Sequence, residues 1–208
     1  MTAFAVVAGL VFLAAMSPAG GVVDARAPER APISKTAPGR AGRLLVVPGR
    51  SAPSRAGPVL RFAVEVEGGL RVDRAAFAAR VTAVLSDRRS WGVGMQRVSS
   101  PPFDFRVALA RPALTNALCA PLQTNGIFSC AQNGRAVLNS MRWRRGADAY
   151  GGALRRYRIY MINHEVGHLL GRGHVYCPAA GVLAPVMVQQ TKGVAPCLAN
   201  PWPLAWER

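Results

Sequence analysis

Residues 164–174 have the sequence HEVGHLLGRGH, and all three histidines of the chain lie within them. On a helix, His164 and His168 project from one face because they are four residues apart. That spacing suits two ligands of one zinc ion, which binds imidazole nitrogens at about 2.0–2.1 Å. Gly171 tolerates the left-handed backbone that ends a helix sharply, so His174 can turn back as a third ligand. The segment therefore predicts a three-histidine zinc site at the end of a helix.

Glu165 follows the first predicted ligand and is the candidate general base of this site. Three imidazoles leave a fourth coordination position open, as in catalytic zinc sites. One Zn²⁺ ion there lowers the pKa of a water and polarises a carbonyl. Glu165 then takes the proton of the attacking water and passes it to the leaving amine. This predicts hydrolysis of an amide bond; the alternative is a chance match, since HExxH fixes only three positions.

The extended pattern HExxHxxGxxH resembles the signature of the metzincin zinc proteases. That group also has a Met-turn downstream of the third histidine. Pro185-Val186-Met187-Val188 is similar to that turn, and the alternative for Met187 is an ordinary core methionine. The resemblance implies a metzincin-like zincin domain with peptidase activity. The tyrosine that some metzincins carry just after the turn is absent, because the last tyrosine is Tyr176.

The chain is also similar to an uncharacterised family of secreted or lipid-proximal domains of unknown function from high-GC Gram-positive bacteria. This similarity covers about residues 59–208 and implies the same kind of domain without a substrate. It is carried by the zinc motif and by further matching positions: Trp91, Cys119, Cys130, Asn139 to Trp143, Tyr157, Cys177, Ala184 to Met187, Gln189 to Thr191, Cys197 and Asn200 to Pro203.

Hydrophobic periodicity predicts an α+β or mixed α/β fold with a small mixed sheet and one long zinc-binding helix. Asp73 is the expected N-cap of the first helix, and Asn133-Gly134 is a hairpin turn signal. After Gly171 we expect an irregular C-terminal subdomain. The predicted strands are 59–66, 103–110, 127–130 and 136–139, and the predicted helices are 74–85, 112–118 and 152–170.

The N-terminal part predicts three regions: a signal peptide or membrane anchor over 1–27, a Pro/Ala/Arg-rich linker over 28–58, and the catalytic domain over 59–208. The apolar core of residues 3–16 has the length of a signal-peptide h-region. No Lys or Arg precedes it. An uncleaved anchor or a misassigned start codon therefore remains an alternative, and export to the extracellular space or cell envelope is the expectation.

The four cysteines fall into two local pairs, Cys119/Cys130 and Cys177/Cys197. Four cysteines allow three disulfide connectivities, and the sequential one is preferred because both loops are short. Free thiols or a zinc site are the alternatives, although the chain has no C-x-x-C pair. Two disulfides favour an exported protein.

The charge is strongly basic: 26 basic against 10 acidic residues give a net charge of +16. This favours anionic surfaces such as lipid head groups or acidic wall polymers, or it reflects base composition alone. No nucleic-acid motif accompanies the charge, so no nucleic-acid partner is expected. Seven arginines between residues 135 and 158 form either a basic rim for acidic substrates or a solvated face.

The function expected from these observations is that of a secreted or envelope-anchored zinc endopeptidase, active as a monomer on a peptide or protein. Its substrate would pair with residues 136–139 if they form a sheet edge; the alternative is an interior strand. Two other functions remain open: a non-catalytic, zinc-stabilised module that binds an anionic envelope surface, and a zinc amidase for cell-wall amides. Tyr160 is expected either to donate a hydrogen bond near the metal or to be a core residue.

Overall fold

A computed structural model describes residues 42–208 and shows a mixed α+β domain. The predicted signal peptide or anchor and the first part of the predicted linker lie outside these residues. The strands are β1 (Leu44–Val46), β2 (Val59–Glu67), β3 (Gly94–Arg97), β4 (Phe105–Ala110), β5 (Cys130–Gln132) and β6 (Arg135–Asn139). The α-helices are α1 (Arg74–Ser86), α2 (Pro112–Cys119), α3 (Ser140–Arg145) and α4 (Leu154–Leu169).

The six strands form one mixed sheet in the order β1-β2-β4-β6-β5, and β3 pairs with β2. β2, β3, β4 and β6 are parallel, whereas β1 and β5 run antiparallel to their neighbours. The mixed sheet is therefore confirmed. The prediction that residues 136–139 form a sheet edge is wrong, because β5 folds back along the outer side of β6. The alternative, an interior strand, is confirmed.

Two local signals are confirmed. Asn133 and Gly134 have φ of 50° and 67°, the positive values that a two-residue type I′ turn between β5 and β6 requires. The side chain of Asp73 accepts a hydrogen bond from the Ala76 N–H at 2.9 Å and caps α1. The hairpin turn and the helix cap each depend on residues that are close in sequence, which is why the sequence pattern alone identifies them.

Helices cover both faces of the sheet. Ala136 and Leu138 belong to the main core, which also contains the buried faces of α1 and α4. Val137 lies between them in β6 and packs instead with Cys119 of α2. Since successive side chains of a strand point to opposite faces, α1 and α4 lie on one face and α2 on the other.

The two acidic residues of β2 are buried, although the alternating pattern predicts that they face solvent. Glu65 is 6% exposed and pairs with Arg135 at 2.7 Å and with Arg106 at 3.8 Å. Glu67 is 4% exposed and pairs with Arg111 at 2.7 Å. Val64 and Val66 face the main core, so the two carboxylates lie on the opposite face of the sheet, and because they are buried they need the arginines as partners.

Part of the predicted linker belongs to the packed domain. β1 pairs with β2, and the Val47 N–H donates to the Val64 carbonyl at 2.8 Å. Further along, the Ser54 N–H donates to the Met95 carbonyl in β3 at 2.9 Å. Residues 44–54 thus extend the sheet despite their proline-rich composition.

The long helix and the irregular C-terminal part agree with prediction. α4 begins two residues later and ends one residue earlier than expected. Beyond it, the only regular element of the described chain is a 3-10 turn at Ala205–Glu207. Among the described residues, no helix is both long and apolar enough to span a bilayer.

Candidate metal centre

The first two predicted ligands lie in the last two turns of α4, on the face turned toward the C-terminal segment. The helix ends at Leu169, and Gly171 then adopts φ of 82°. The Arg172 N–H donates back to the Gly167 carbonyl at 2.9 Å, which closes the end of the helix. This left-handed exit reverses the chain and brings His174 against the two helical histidines.

The three imidazoles converge on one point. The Nε2 atom of His174 lies 3.1 Å from that of His168 and 3.3 Å from that of His164. A tetrahedral zinc ion with bonds of about 2.05 Å holds its nitrogen ligands about 3.3 Å apart. Among the described residues, these three histidines are the group whose ligand atoms could hold a metal ion. The residues present therefore fit the geometry of a zinc site.

Hydrogen bonds on the far side of the rings fix their tautomers. The Nδ1 atoms of His164 and His168 each lie 2.8 Å from a backbone carbonyl, of Val186 and Arg172 respectively. A carbonyl only accepts, so both Nδ1 atoms carry the hydrogen and both Nε2 atoms present lone pairs. His174 supplies at most one N–H to the cluster, which leaves at least one of the two lone pairs unsatisfied within it. This is the arrangement of metal-binding histidines that are oriented by backbone carbonyls.

The surroundings also keep the imidazoles neutral, the form that binds metals. Burial, together with the charges of His168 and His174, lowers the pKa of His164 to about 3. Burial also lowers the pKa of His168 and of His174 below the usual value. The nearby charge of Lys192 contributes to the shift at His174.

Glu165 lines the same cavity as the histidines, although its side chain is only 6% exposed. Burial raises the pKa of its carboxyl to about 8. No hydrogen bond or charge from the described residues offsets that shift. The Glu165 carboxyl group thus faces the cavity without a partner among the described residues.

The cavity has a volume of about 330 Å³ and lies between two walls. One wall is the loop before β5 together with the start of that strand, where Thr124, Phe128 and Ala131 contribute. The other wall is formed by Gln189, Thr191 and Lys192. A cleft of this size, open on one side, accommodates a few residues of an extended chain.

Met187 packs directly against the end of α4 that carries His164 and His168. It is 2% exposed. A Cβ atom added to Gly167 would lie 2.6 Å from the Met187 sulfur and would also collide with the Trp91 ring. Gly167 is therefore required for close packing between the helix and the turn that contains Met187. The preceding residue, Val186, supplies the carbonyl that orients His164.

A buried carboxylate near the C-terminus holds this turn, and sequence analysis missed it. One oxygen of Glu207 accepts hydrogen bonds from the backbone N–H groups of Val186 at 2.9 Å and Leu204 at 2.8 Å. Its other oxygen accepts from the Met187 N–H at 3.1 Å. Glu207 is 3% exposed. Its sequence neighbourhood does not reveal this role, since Val186 and Met187 lie some 20 residues away from it.

Gln190 and Asn200 form a second buried polar link in the C-terminal part. The Gln190 side chain accepts from the Tyr150 hydroxyl at 2.9 Å and donates to the Pro185 carbonyl at 3.2 Å. It also exchanges hydrogen bonds with the backbone of Asn200 at 2.8 Å and 3.0 Å. These bonds replace regular secondary structure in residues 185–200.

Both disulfides have the predicted sequential pairing. Cys119–Cys130 joins the end of α2 to the start of β5 and closes the loop that forms one wall of the cavity. Cys177–Cys197 closes a loop that contains Met187. Among the described residues no cysteine is free. Each bridge therefore constrains a segment that borders the histidine cluster.

Tyr160 and the arginines of residues 135–158 were the other candidates for the site, and neither donates to a group in the cavity in the described structure. The Tyr160 hydroxyl donates to the Val188 carbonyl at 3.0 Å and accepts from the Gln190 N–H at 2.9 Å, so Tyr160 is a core residue with a satisfied hydroxyl. No arginine of residues 135–158 lines the cavity in the described structure. Arg158 instead donates to the Trp143 carbonyl and lies over its ring, 4.9 Å from the centroid.

Comparison with known proteins yields one match. A family model described as "Protein of unknown function (DUF3152)" covers residues 31–203. The matched region includes the three histidines, Glu165, Met187 and all four cysteines. No curated protein matches the chain.

Proposed function

The chain belongs to the DUF3152 family of proteins of unknown function, and we propose that it is a zinc-dependent endopeptidase with a metzincin-like domain. One observation carries the proposal: three neutral imidazoles converge on a metal-sized gap beside a buried carboxylate that the described residues leave unpaired. A purely structural zinc site needs four protein ligands and no free carboxylate. Here the described chain offers three ligands and an open cleft.

The donor set supports zinc as the metal. Neutral imidazoles are intermediate ligands that suit Zn²⁺, and His164, His168 and His174 would hold it. When bound, the ion supplies Lewis acidity, which lowers the pKa of a water and polarises the scissile carbonyl. The backbone carbonyls of Val186 and Arg172 would keep the imidazole rings of the first two ligands aimed at the ion.

Glu165 would act as the general base and then as the proton donor. Its carboxylate lines the cavity and is not engaged by another described side chain. It can therefore take the proton of the attacking water and return it to the leaving amine. Its position directly after His164 on a rigid helix keeps it next to the reacting atoms.

A peptide is the substrate that the cleft suits best. β5 has a neighbour on one side only, and Cys130 and Ala131 of this strand line the cavity. An extended chain can add to such a free edge through main-chain hydrogen bonds. We therefore expect an extended substrate to pair with β5, and not with residues 136–139. This arrangement, together with Met187 below the helix, supports the metzincin-like assignment. The two disulfides support an oxidising, extracytoplasmic location.

The test is cleavage of a diverse peptide library by the purified chain and by Glu165→Gln. The parent is expected to cleave, to stop when a chelator removes zinc, and to recover when Zn²⁺ is returned. Glu165→Gln should bind the same amount of zinc and lose roughly 10²–10⁴-fold in rate, the usual contribution of a general base. Asp148→Asn, which makes the same change at an exposed acid outside the cavity, is the matched control.

Two results would contradict the proposal. The first is cleavage by Glu165→Gln at the parental rate, because another group would then be the base. The second is a zinc-loaded parent that cleaves no peptide. If such a parent released amides from cell-wall fragments, the reaction would be that of an amidase.

A further inference from the structure

The cavity beside the histidines contains one fixed positive charge, Lys192. The only other Lys, Arg, Asp or Glu side chain that lines the described cavity is Glu165. The basic residues of this chain are almost all arginines, and no arginine of the described residues lines the cavity. A single lysine inside the cleft is therefore a distinct feature and not part of the general basic surface.

Contacts to both sides of the cleft hold the Lys192 ammonium. Its Nζ donates to the Gln189 side-chain carbonyl at 3.1 Å. It also lies 5.3 Å from the centroid of the Phe128 ring, which belongs to the opposite wall. The ammonium thus reaches across the cavity, and its charge extends to His174.

No carboxylate of the described residues pairs with the Lys192 ammonium. The ion pairs of the described residues involve Arg89, Arg106, Arg111 and Arg135, and none involves Lys192. An ammonium has three hydrogen-bond donors, and Gln189 uses one of them. At least two donors and the full charge remain for a ligand in the cleft.

We propose that Lys192 selects substrates with a carboxylate next to the scissile bond. This inference rests on the proposed peptidase function and names its substrate class. The carboxylate would come either from an Asp or Glu side chain or from a free C-terminus. An ion pair between this carboxylate and Lys192 would be covered by the bound peptide, which strengthens it relative to an exposed pair.

The experiment compares matched peptides whose sequences differ only in charge. Capped octapeptides carry either Asp or Asn, and either Glu or Gln, at each position around the cleaved bond. A second set has no acidic side chain but a free C-terminal carboxylate at successive distances from that bond. Cleavage by the parent is compared with Lys192→Met and Lys192→Glu, and Arg71→Met removes one exposed charge outside the cavity as the control.

We expect the parent to prefer the acidic member of a pair by roughly fivefold in kcat/KM, the size of a partly covered ion pair. Lys192→Met should remove this preference, so that the acidic and the neutral member of each pair are cleaved with equal kcat/KM. Lys192→Glu should reverse it in favour of Lys-containing peptides. Arg71→Met should keep the parental preference.

A second readout does not depend on cleavage. Binding of the same Asp/Asn pairs to the zinc-loaded Glu165→Gln variant, with and without Lys192→Met, should show the same loss of preference. Equal cleavage and binding of acidic and neutral peptides by the parent would overturn the inference and leave the peptidase function intact. A preference that survives in Lys192→Met would also overturn it. A zinc-loaded parent that neither cleaves nor binds any peptide would overturn both.

Discussion

At the scale of single residues, Gly167 has the sharpest steric requirement. It lies between His164 and His168, and a Cβ atom there would collide with Trp91 and with the Met187 sulfur. We predict that Gly167→Ala lowers the free energy of unfolding by about 2 kcal/mol, because overpacking outweighs the better helix propensity of alanine. The melting temperature should fall by roughly 4–8 °C. Zinc affinity, measured by chelator competition, should fall with it.

Gly173→Ala is the matched control for this prediction. Gly173 lies in the same metal-binding segment, and a Cβ atom there would meet nothing within 4 Å. Its melting temperature should stay within about 2 °C of the parent, as for most surface substitutions. If both variants melted like the parent, Met187 and Trp91 would have room to move, and the tight packing of the helix on the turn would not be a constraint.

The residues of this site differ in how much the sequence reveals about them. The three histidines lie within one helical segment and its exit, so their spacing alone predicts their convergence. Gly167, by contrast, is constrained by Trp91, which is far away in sequence and carries no periodic signal. Glu207 is hidden for the same reason. Local patterns identify the three clustered histidines, whereas residues that support them through tertiary contacts become visible only in the fold.

Among the structural elements, the C-terminal 3-10 turn supports the metal centre through Glu207. Its carboxylate accepts from the N–H groups of Val186 and Met187, and the Val186 carbonyl orients His164. In Glu207→Gln, an amide NH₂ group replaces one of the two acceptor oxygens and faces backbone donors. We predict a loss of about 2–3 kcal/mol in the free energy of unfolding, and a zinc affinity lower by roughly tenfold.

Thermal denaturation and zinc competition, with Asp148→Asn as the control, would measure both effects. Asp148 is an exposed acid, so the control removes a charge without removing buried acceptors. Parental stability in Glu207→Gln would mean that the turn is held by the Gln190 network alone. A loss of stability with unchanged zinc affinity would mean that the Val186 carbonyl does not transmit the change to His164.

Sequence analysis placed helices and strands correctly where neighbouring residues determine them. It failed where they depend on pairing between strands that are distant in sequence. α1 and α4 were placed to within two residues because Asp73 caps the start of α1 and Gly171 follows the end of α4. Within residues 44–54 the only strand signal is the short apolar patch 44–47, since the order of the rest comes from hydrogen bonds to the sheet. The wrong assignment of the edge strand has the same origin. The hairpin turn predicts that β5 and β6 pair with each other, but it does not predict which of the two also pairs with β4. Because β6 pairs with β4, β5 is the outer strand.

At the scale of the whole molecule, the charge is strongly unbalanced. The chain has a net charge of +16, and the described residues contain four ion pairs. Most arginines of the described residues therefore form no ion pair, and together they produce a long-range positive potential. The arginines of residues 135–158 lie outside the cavity. Their collective effect should thus be on the encounter with an anionic substrate, and a local effect inside the cleft should come from Lys192.

These two effects can be separated by ionic strength. For a capped peptide with four acidic residues, we predict that kcat/KM falls roughly five- to tenfold between about 10 mM and about 200 mM NaCl, because the screening length shrinks from about 30 Å to below 10 Å. A neutral peptide with the same scissile bond should change less than about twofold, and kcat should stay constant for both, since salt acts on encounter. Lys192→Met should keep nearly the whole salt dependence, because it removes one charge of many, while it loses the preference for a carboxylate at the cleaved bond. Equal salt dependence of acidic and neutral peptides would show that the basic surface does not steer substrates to this cleft.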